Sequence, residues 1–464
     1  MSPISLAQRF AQYACRLQFD AIPQPVIHEA KRRFIDSFAT AVGAFPSDAY
    51  AVAKKAALKF SGLPGLSMIG GGKSSIDWAT FVNGLLIRYL DFNDTYLSKE
   101  PAHPSDNLAA VMSVGEWSKS KGKDLLTAAV LAYEIQCRLC DASSLRKNGI
   151  DHVTYGAISS CIAACKLMGL DETKTTHAIG IAGVCNAALR QTRAGEMSMW
   201  KGCAFANAAR NGVFAALVAS EGMTGPAPIF EGELGIMQLL TREKFSVAPM
   251  GAEQGPSTNP EDFMMSHTYI KFWPVEYHAQ SAVDAILQLR PQVKDWKQVE
   301  RIDVHTFDAA VDIIGKDPEK YRPKTRETAD HSMPYCIAVA LMEGDVGLDS
   351  FDDQHLANEA LIELTNKVKL HRDASANARY PKGIPNKLTV TMKNGQQFVK
   401  EVEFPRGHAF NKMTDQEVER KFRSTVEPYY GKDRATQMLD GFWKMEALDG
   451  VGTMIGWFDQ PKKA

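Results

Sequence analysis

Residues 201–220, KGCAFANAARNGVFAALVAS, decide the fold class. Apolar and small residues recur there at three- and four-residue spacing over roughly five helical turns, far longer than a strand, and Ala, Gly and Cys leave a surface that a neighbouring backbone can approach closely. Two preceding stretches, AISSCIAACKLMG (157–169) and AIGIAGVCNAAL (178–189), share that composition. Buried helices in a dense bundle are the expectation. Asp151 can cap the helix that ends at Gly169, and Gly222 can end the one beginning near Lys201. Upstream, Leu6, Phe10, Tyr13, Ala14 and Leu17 share one helical face, and Pro23 and Pro25 introduce a helix over 26–42. Ser75 is placed to cap 76–89 and Ser105 to cap 108–120. From residue 1 to about 222 the reading is all-α.

Beyond that point the pattern changes. The Gly/Pro-rich stretch 224–260 reads as a connection between domains. RIDVHTF (301–307) alternates as a strand does, and KLTVTMKNGQQFVKEVEF (387–404) predicts a hairpin turning at Asn394 and Gly395. Helical stretches at 278–290, 332–342 and 354–364 can cover one face of such a sheet, and helical spacing returns after Met413. The predicted fold is mainly α: a large all-helical domain formed by both chain ends (1–262 and 405–464) with a smaller inserted α+β lid domain (263–404).

The 464 residues leave room for two to four domains of about 150 residues and a large core. Hydrophobic residues at 45% and charged residues at 23% exclude a mainly disordered or collagen-like chain. Lys plus Arg (53) balances Asp plus Glu (54), so no net field holds nucleic acid or an anionic membrane, and any anion must be met by a few placed cations. No apolar run is long enough for a membrane span. The eight cysteines lie mostly in Ala-rich stretches, as packed thiols of a reducing compartment, and a cytoplasmic location is expected. Cys137 and Cys140 form a single C-x-x-C inside a continuing helix, without the second pair of a zinc site. Arg9 and Arg16, with no acid before Asp20, could mark a targeting segment, but the helical face of Leu6 and Phe10 favours a core helix.

Two familiar motifs fail. GGGKSS (70–75) ends like a phosphate loop, yet the earlier glycine is replaced by Ser67 and no hydrophobic parallel strand leads into it. Asp91, Asn93 and Thr95 begin like a calcium loop, but Tyr96 and Ala102 stand where Gly and Glu are needed. Neither H-E-x-x-H, nor G-x-S-x-G, nor a dinucleotide glycine fingerprint occurs. No metal and no cofactor are expected.

The informative segment is DFNDTYLSKEPAHPSDN (91–107). His103 stands just before a helix start, where free backbone N–H groups favour an anion, and His152 repeats the arrangement beside Asp151. Lys201 begins a buried helix at the end where the dipole disfavours a cation, and such broken local rules often mark function. Arg190 and Arg193 lie on the loop before it, Lys271 and His278 flank a turn further on, and His331 and Tyr335 lie at another helix start. Polar residues at helix ends and snorkelling lysines are the structural alternative for each taken singly. Together they suit a di- or tricarboxylate and proton abstraction α to a carboxylate.

These motifs, with HVTYGAISSCIAACKLMGLD (152–171), IKFWPVEYHAQSA (270–282), DHSMPYCIAVAL (330–341) and FPRGHAFNKM (404–413), resemble in order those of the MmgE/PrpD family, over nearly the whole chain. That family includes 2-methylcitrate dehydratases, cis-aconitate decarboxylases and an iminodisuccinate epimerase. The resemblance implies a helical domain with an α+β lid, a homodimer, no iron–sulfur cluster or metal, and a place in the methylcitrate cycle. It matches Asp91 and Thr95 to the family's D-x-x-D-T segment, and His103, His152, Lys201, Lys271, His278 and Tyr335 to its other site residues. The spacing from Asp91 to His103, with LSKEPA (97–102) inserted, departs from the decarboxylase branch.

The expected activity is therefore a metal-free hydro-lyase of the 2-methylcitrate dehydratase type. His103 or His152 would take the proton, and the other histidine or Tyr335 would assist loss of hydroxide. Lys201, Lys271, His278 and Arg193 would hold carboxylates, Asp91 would orient a histidine, and Thr95 would add a hydrogen bond. Decarboxylase-like or epimerase-like chemistry on a related acid is the alternative within the family, and a carboxylate-binding helical scaffold is the alternative outside enzymes.

Overall fold

Helix boundaries follow local chemistry in the computed structural model, which describes residues 4–62, 65–194 and 197–462. Ser5 accepts from the Gln8 backbone N–H while the Gln8 side chain returns to Ser5 N–H, opening the helix Leu6–Arg16. Gly169, in the left-handed region at φ 68°, closes the helix Val153–Met168. The chain forms two compact units, Met1–Thr268 with Thr414–Ala464, and Tyr269–Met413.

The first unit is built around helices Val153–Met168 and Trp200–Ser220, whose Ala and Cys side chains form a buried cluster with Val114, Val153, Phe205 and Val213. A Cβ placed on Gly212 would come 2.6 Å from the Ala157 carbonyl oxygen and 2.9 Å from the Cys161 nitrogen. Gly156 is closed in the same way by the Phe205 ring, at 2.2 Å. All eight cysteines are free thiols. The helix Asp415–Tyr430, with which the chain returns to this unit, is tied in by Lys421, which pairs with the fully buried Asp36 at 2.6 Å and donates to the Phe92 carbonyl at 2.7 Å.

Four sequence expectations change here. The N-terminal half is not wholly helical, because β1 (Leu66–Ser67) and β2 (Lys73–Ser74) pair antiparallel around Gly70, Gly71 and Gly72, all at positive φ. Ser75 occupies the cap position of Ile76–Arg88 but gives its hydroxyl to Asp77. Ser105 is no cap: it lies inside a 3-10 turn, Pro104–Asn107, and the helix that follows is the shorter Leu108–Trp117. The stretch 224–260 is no loose tether. Phe230, Val247 and Met250 are buried, and the buried Glu134 accepts from the backbone N–H of Gly251.

The second unit carries a four-stranded sheet in the order β4-β3-β5-β6, from β3 (Val299–Thr306), β4 (Val368–Arg372), β5 (Asn386–Met392) and β6 (Gln397–Val402). β5 and β6 form the expected hairpin, with Gly395 at φ 83°. β4 was not expected from the sequence; it pairs parallel with β3, His305 opposite His371. The expected 354–364 helix is two, Asp353–Leu356 and Glu359–Asn366, the second capped by Asn358.

Because backbone atoms fill the space beside Gly212, Gly212→Ala should cost about 1–3 kcal/mol by overpacking, more than the ~1 kcal/mol that alanine adds in helix propensity. Urea unfolding should give a lower midpoint at unchanged slope. A midpoint at or above wild type would mean that the crossing relaxes freely.

Candidate active site

Arg88 ends the apolar helix Ile76–Arg88, and three residues later the chain turns through Asp91, held at φ 50° in a region non-glycine residues seldom adopt. The buried Asp91 carboxylate is gripped from both sides. Oδ1 accepts from Arg88 Nη1 at 2.6 Å, and Oδ2 accepts from Lys201 Nζ at 3.3 Å. Lys201 is thus buried at a helix N-terminus with a carboxylate beside it, which offsets the unfavourable dipole. Arg88 Nε also lies 3.6 Å from Asp106 Oδ2. Burial raises the Asp106 carboxyl to about 8, outweighing the opposing charge of Arg88.

His103 is oriented mainly by backbone. Its Nδ1 lies 2.7 Å from the Asp94 carbonyl oxygen, which can only accept, so Nδ1 carries a proton; Thr95 Oγ1 is 3.3 Å from the same nitrogen. Asp94 is itself fixed, accepting from Ser105 N–H at 3.0 Å and from the Tyr133 hydroxyl at 2.6 Å. Asp91, expected to orient a histidine, stands 3.7 Å from His103 Nε2, and its short bond goes to Arg88 instead.

His152 has a carboxylate at its Nδ1. Its Nδ1 lies 3.0 Å from Asp151 Oδ1, and Arg193 Nε donates to Asp151 Oδ2 at 2.8 Å. Burial would raise Asp151, but His152 and Arg193 outweigh it and hold the carboxyl far below the usual range. Burial lowers His152 against the pull of Asp151, with Arg193 adding to the lowering. The imidazole is therefore neutral near pH 7, and among the described residues its buried Nε2 has no hydrogen-bond partner. The His103 and His152 rings stand 5.9 Å apart, centroid to centroid. Arg193, expected to hold a substrate carboxylate, has its Nε engaged by Asp151.

Lys271, His278 and Tyr335 belong to the second unit and are buried. His278 Nδ1 lies 2.8 Å from Glu276 Oε1, and its Nε2 is 3.3 Å from the Tyr380 hydroxyl. Burial would raise Glu276, yet His278, with His331 and Lys271, takes it down to about 2. Tyr335, expected to assist hydroxide loss, is fully buried and donates its hydroxyl to the Ser350 carbonyl at 2.9 Å.

Arg88 and Glu276 went unremarked in the sequence. Each carried a signal: Arg88 is the only cation of an apolar helix, and Glu276 lies two residues before a histidine. Asp151 was read as a cap, and it does accept from Val153 N–H at 3.3 Å, but its main partners are His152 and Arg193. Among the described residues no group of three or more His, Cys, Asp or Glu side chains is arranged to hold a metal ion.

A family model for the MmgE/PrpD N-terminal domain matches residues 8–248, and one for the MmgE/PrpD C-terminal domain matches 273–445. The chain belongs to the MmgE/PrpD family. Its MmgE/PrpD relatives include the 2-methylcitrate dehydratase of Escherichia coli K12, 28% identical over 361 residues and 71% of each chain. A probable 2-methylcitrate dehydratase of Saccharomyces cerevisiae is 29% identical over 359 residues, covering 72% of this chain and 68% of its own. An alkylcitrate dehydratase of a fungal species is 31% identical over 392 residues, covering 78% and 75%. By their names these relatives are carbon–oxygen hydro-lyases.

The geometry around His152 sets the sign of a titration. In NMR spectra of histidine-labelled protein, His152 should protonate below the ordinary imidazole value. Asp151→Asn should move that midpoint lower still, because it removes the charge that favours imidazolium and leaves burial and Arg193 in place. An upward move would overturn the assignment of Asp151 as the stabilising partner.

Proposed function

We propose that this MmgE/PrpD protein is a hydro-lyase that removes water from a small tricarboxylate of the 2-methylcitrate type. The observation that carries the reading is the pair of imidazoles 5.9 Å apart, of which His152 is neutral, backed by a carboxylate, and has Nε2 without a partner. A neutral imidazole so held suits a general base.

In the proposed reaction His152 Nε2 takes the proton from the carbon next to a carboxylate. The electron pair moves toward that carboxylate, where Lys201 meets the developing charge. The carbon–carbon double bond forms as the carbon–oxygen bond breaks, and His103 gives a proton to the departing hydroxyl so that water leaves. Asp91, 3.7 Å from His103 Nε2, stands where it supports the protonated ring before that transfer. Thr95 helps fix the ring. Every step uses side chains of this chain, so the reaction is written without a metal. A homodimer and a cytoplasmic setting belong to the same proposal; among the described residues no helix is long and apolar enough to cross a membrane.

The test is ultraviolet absorbance on mixing the protein with 2-methylcitrate, citrate or cis-aconitate. A new unsaturated acid from 2-methylcitrate is the expected result, and His152→Ala and His103→Ala should each lower turnover by about 10²–10⁴-fold. Loss of cis-aconitate absorbance with release of carbon dioxide would replace dehydration by decarboxylation. Full turnover in both variants would remove the two histidines from the chemistry.

A further inference from the structure

The inserted stretch LSKEPA is not a loose excursion before His103. Tyr96 and Ala102 exchange backbone hydrogen bonds at 2.9 Å each, so residues 97–101 form a closed loop between them. Three contacts then bind this loop to the end of the helix Gly122–Ala142. The Tyr96 hydroxyl donates to Asp141 at 2.5 Å, Lys99 Nζ to the Ala142 carbonyl at 3.2 Å, and Glu100 N–H to the Cys140 carbonyl at 3.1 Å.

Beyond that helix the Glu100 side chain reaches into the next turn. Its Oε2 accepts from the Ser144 hydroxyl at 3.0 Å, from Leu145 N–H at 2.8 Å and from Arg146 N–H at 2.9 Å. Glu100 is fully buried, and among the described residues its other oxygen has no hydrogen-bond partner. A buried carboxyl that satisfies two backbone donors and a hydroxyl with one atom is costly to lose, since all three donors would then be orphaned. The turn it holds leads directly to the other histidine. Ile150 N–H donates to the Leu145 carbonyl at 3.3 Å, Asp151 N–H donates to the Ala188 carbonyl at 2.8 Å, and His152 follows.

We propose that Glu100 is a positioning residue that fastens the loop carrying His103 to the turn delivering Asp151 and His152, and so sets the separation of the two imidazoles. The proposal rests on the reading of those histidines as the reacting pair. Glu100 touches neither ring and acts through backbone at both ends.

Two measurements on the full-length protein test it. The first needs no turnover: hydrogen–deuterium exchange on Glu100→Ala should show faster exchange in peptides covering 93–103 and 144–152 together, while Lys99→Ala should leave 144–152 unchanged. Faster exchange confined to 144–149 would reduce Glu100 to a local cap and overturn the coupling. The second is kinetic, with 2-methylcitrate, well below the unfolding midpoint of each variant. Misplacing one reacting group by about 1 Å costs on the order of 100-fold, so Glu100→Ala should lose about that factor in kcat with KM within about 3-fold. Glu100→Gln keeps an acceptor oxygen of the same reach and should recover kcat to within about 5-fold of wild type. Unchanged kcat in Glu100→Ala, or equal loss in Glu100→Gln, would overturn the proposal. If wild-type protein does not turn over 2-methylcitrate, the function fails while the exchange result still decides the coupling.

Discussion

The close crossing of helices Val153–Met168 and Trp200–Ser220 is the constraint on which the rest of the first unit depends. Gly212 admits the Ala157 carbonyl and Gly156 admits the Phe205 ring, so neither helix can shift without collision. Each helix begins at a candidate residue, His152 on one and Lys201 on the other. Fixing the crossing therefore fixes two helix starts, and side chains placed there inherit the rigidity of the core rather than the mobility of a loop. Asp91 continues the chain of placement by binding Lys201, and His103 lies within 3.7 Å of Asp91. The His103 and His152 rings close the circuit.

Charge burial explains why so many partners surround so few reacting groups. A carboxylate out of water is tolerated only when paired, and truncating one partner strands the other. Arg88, Lys201, Asp91 and Asp106 form one such group in the first unit. With Asp106 raised to about 8 by burial, near neutrality it is mainly protonated, and Asp91 is the carboxylate that Arg88 and Lys201 hold between them.

Local chemistry was legible in the sequence and long-range chemistry was not. Gly169 and Gly395 marked a helix end and a hairpin because each needs only its own backbone conformation. Ser105 misled because a hydroxyl before an apolar run fits a cap, whereas here it receives the amide of Asn93 and its N–H goes to Asp94. Strand β4 escaped notice because its pairing partner β3 is parallel and more than sixty residues away, so no turn between them announces the register. At the site, the candidates His103, His152, Lys201 and Asp91 were visible as polar residues at awkward places. Their partners were not, since the acceptor for His103 is a carbonyl that every residue has, and Arg88 reads as an ordinary cation at a helix end.

The arrangement also bears on how related reactions can share one constellation. Dehydration, decarboxylation and epimerisation of such acids all require stabilisation of negative charge next to a carboxylate, which Lys201 and the groups around it can supply for any of them. What differs is where a proton is returned: to a leaving hydroxyl, to the carbon that lost carbon dioxide, or to the opposite face of the same carbon. In the proposed reaction the residue that returns it is His103, whose Nδ1 lies against the Asp94 carbonyl and Thr95, whereas the Nδ1 of His152 faces the Asp151 carboxylate. The acid is thus placed by backbone, and the base by the start of the helix Val153–Met168.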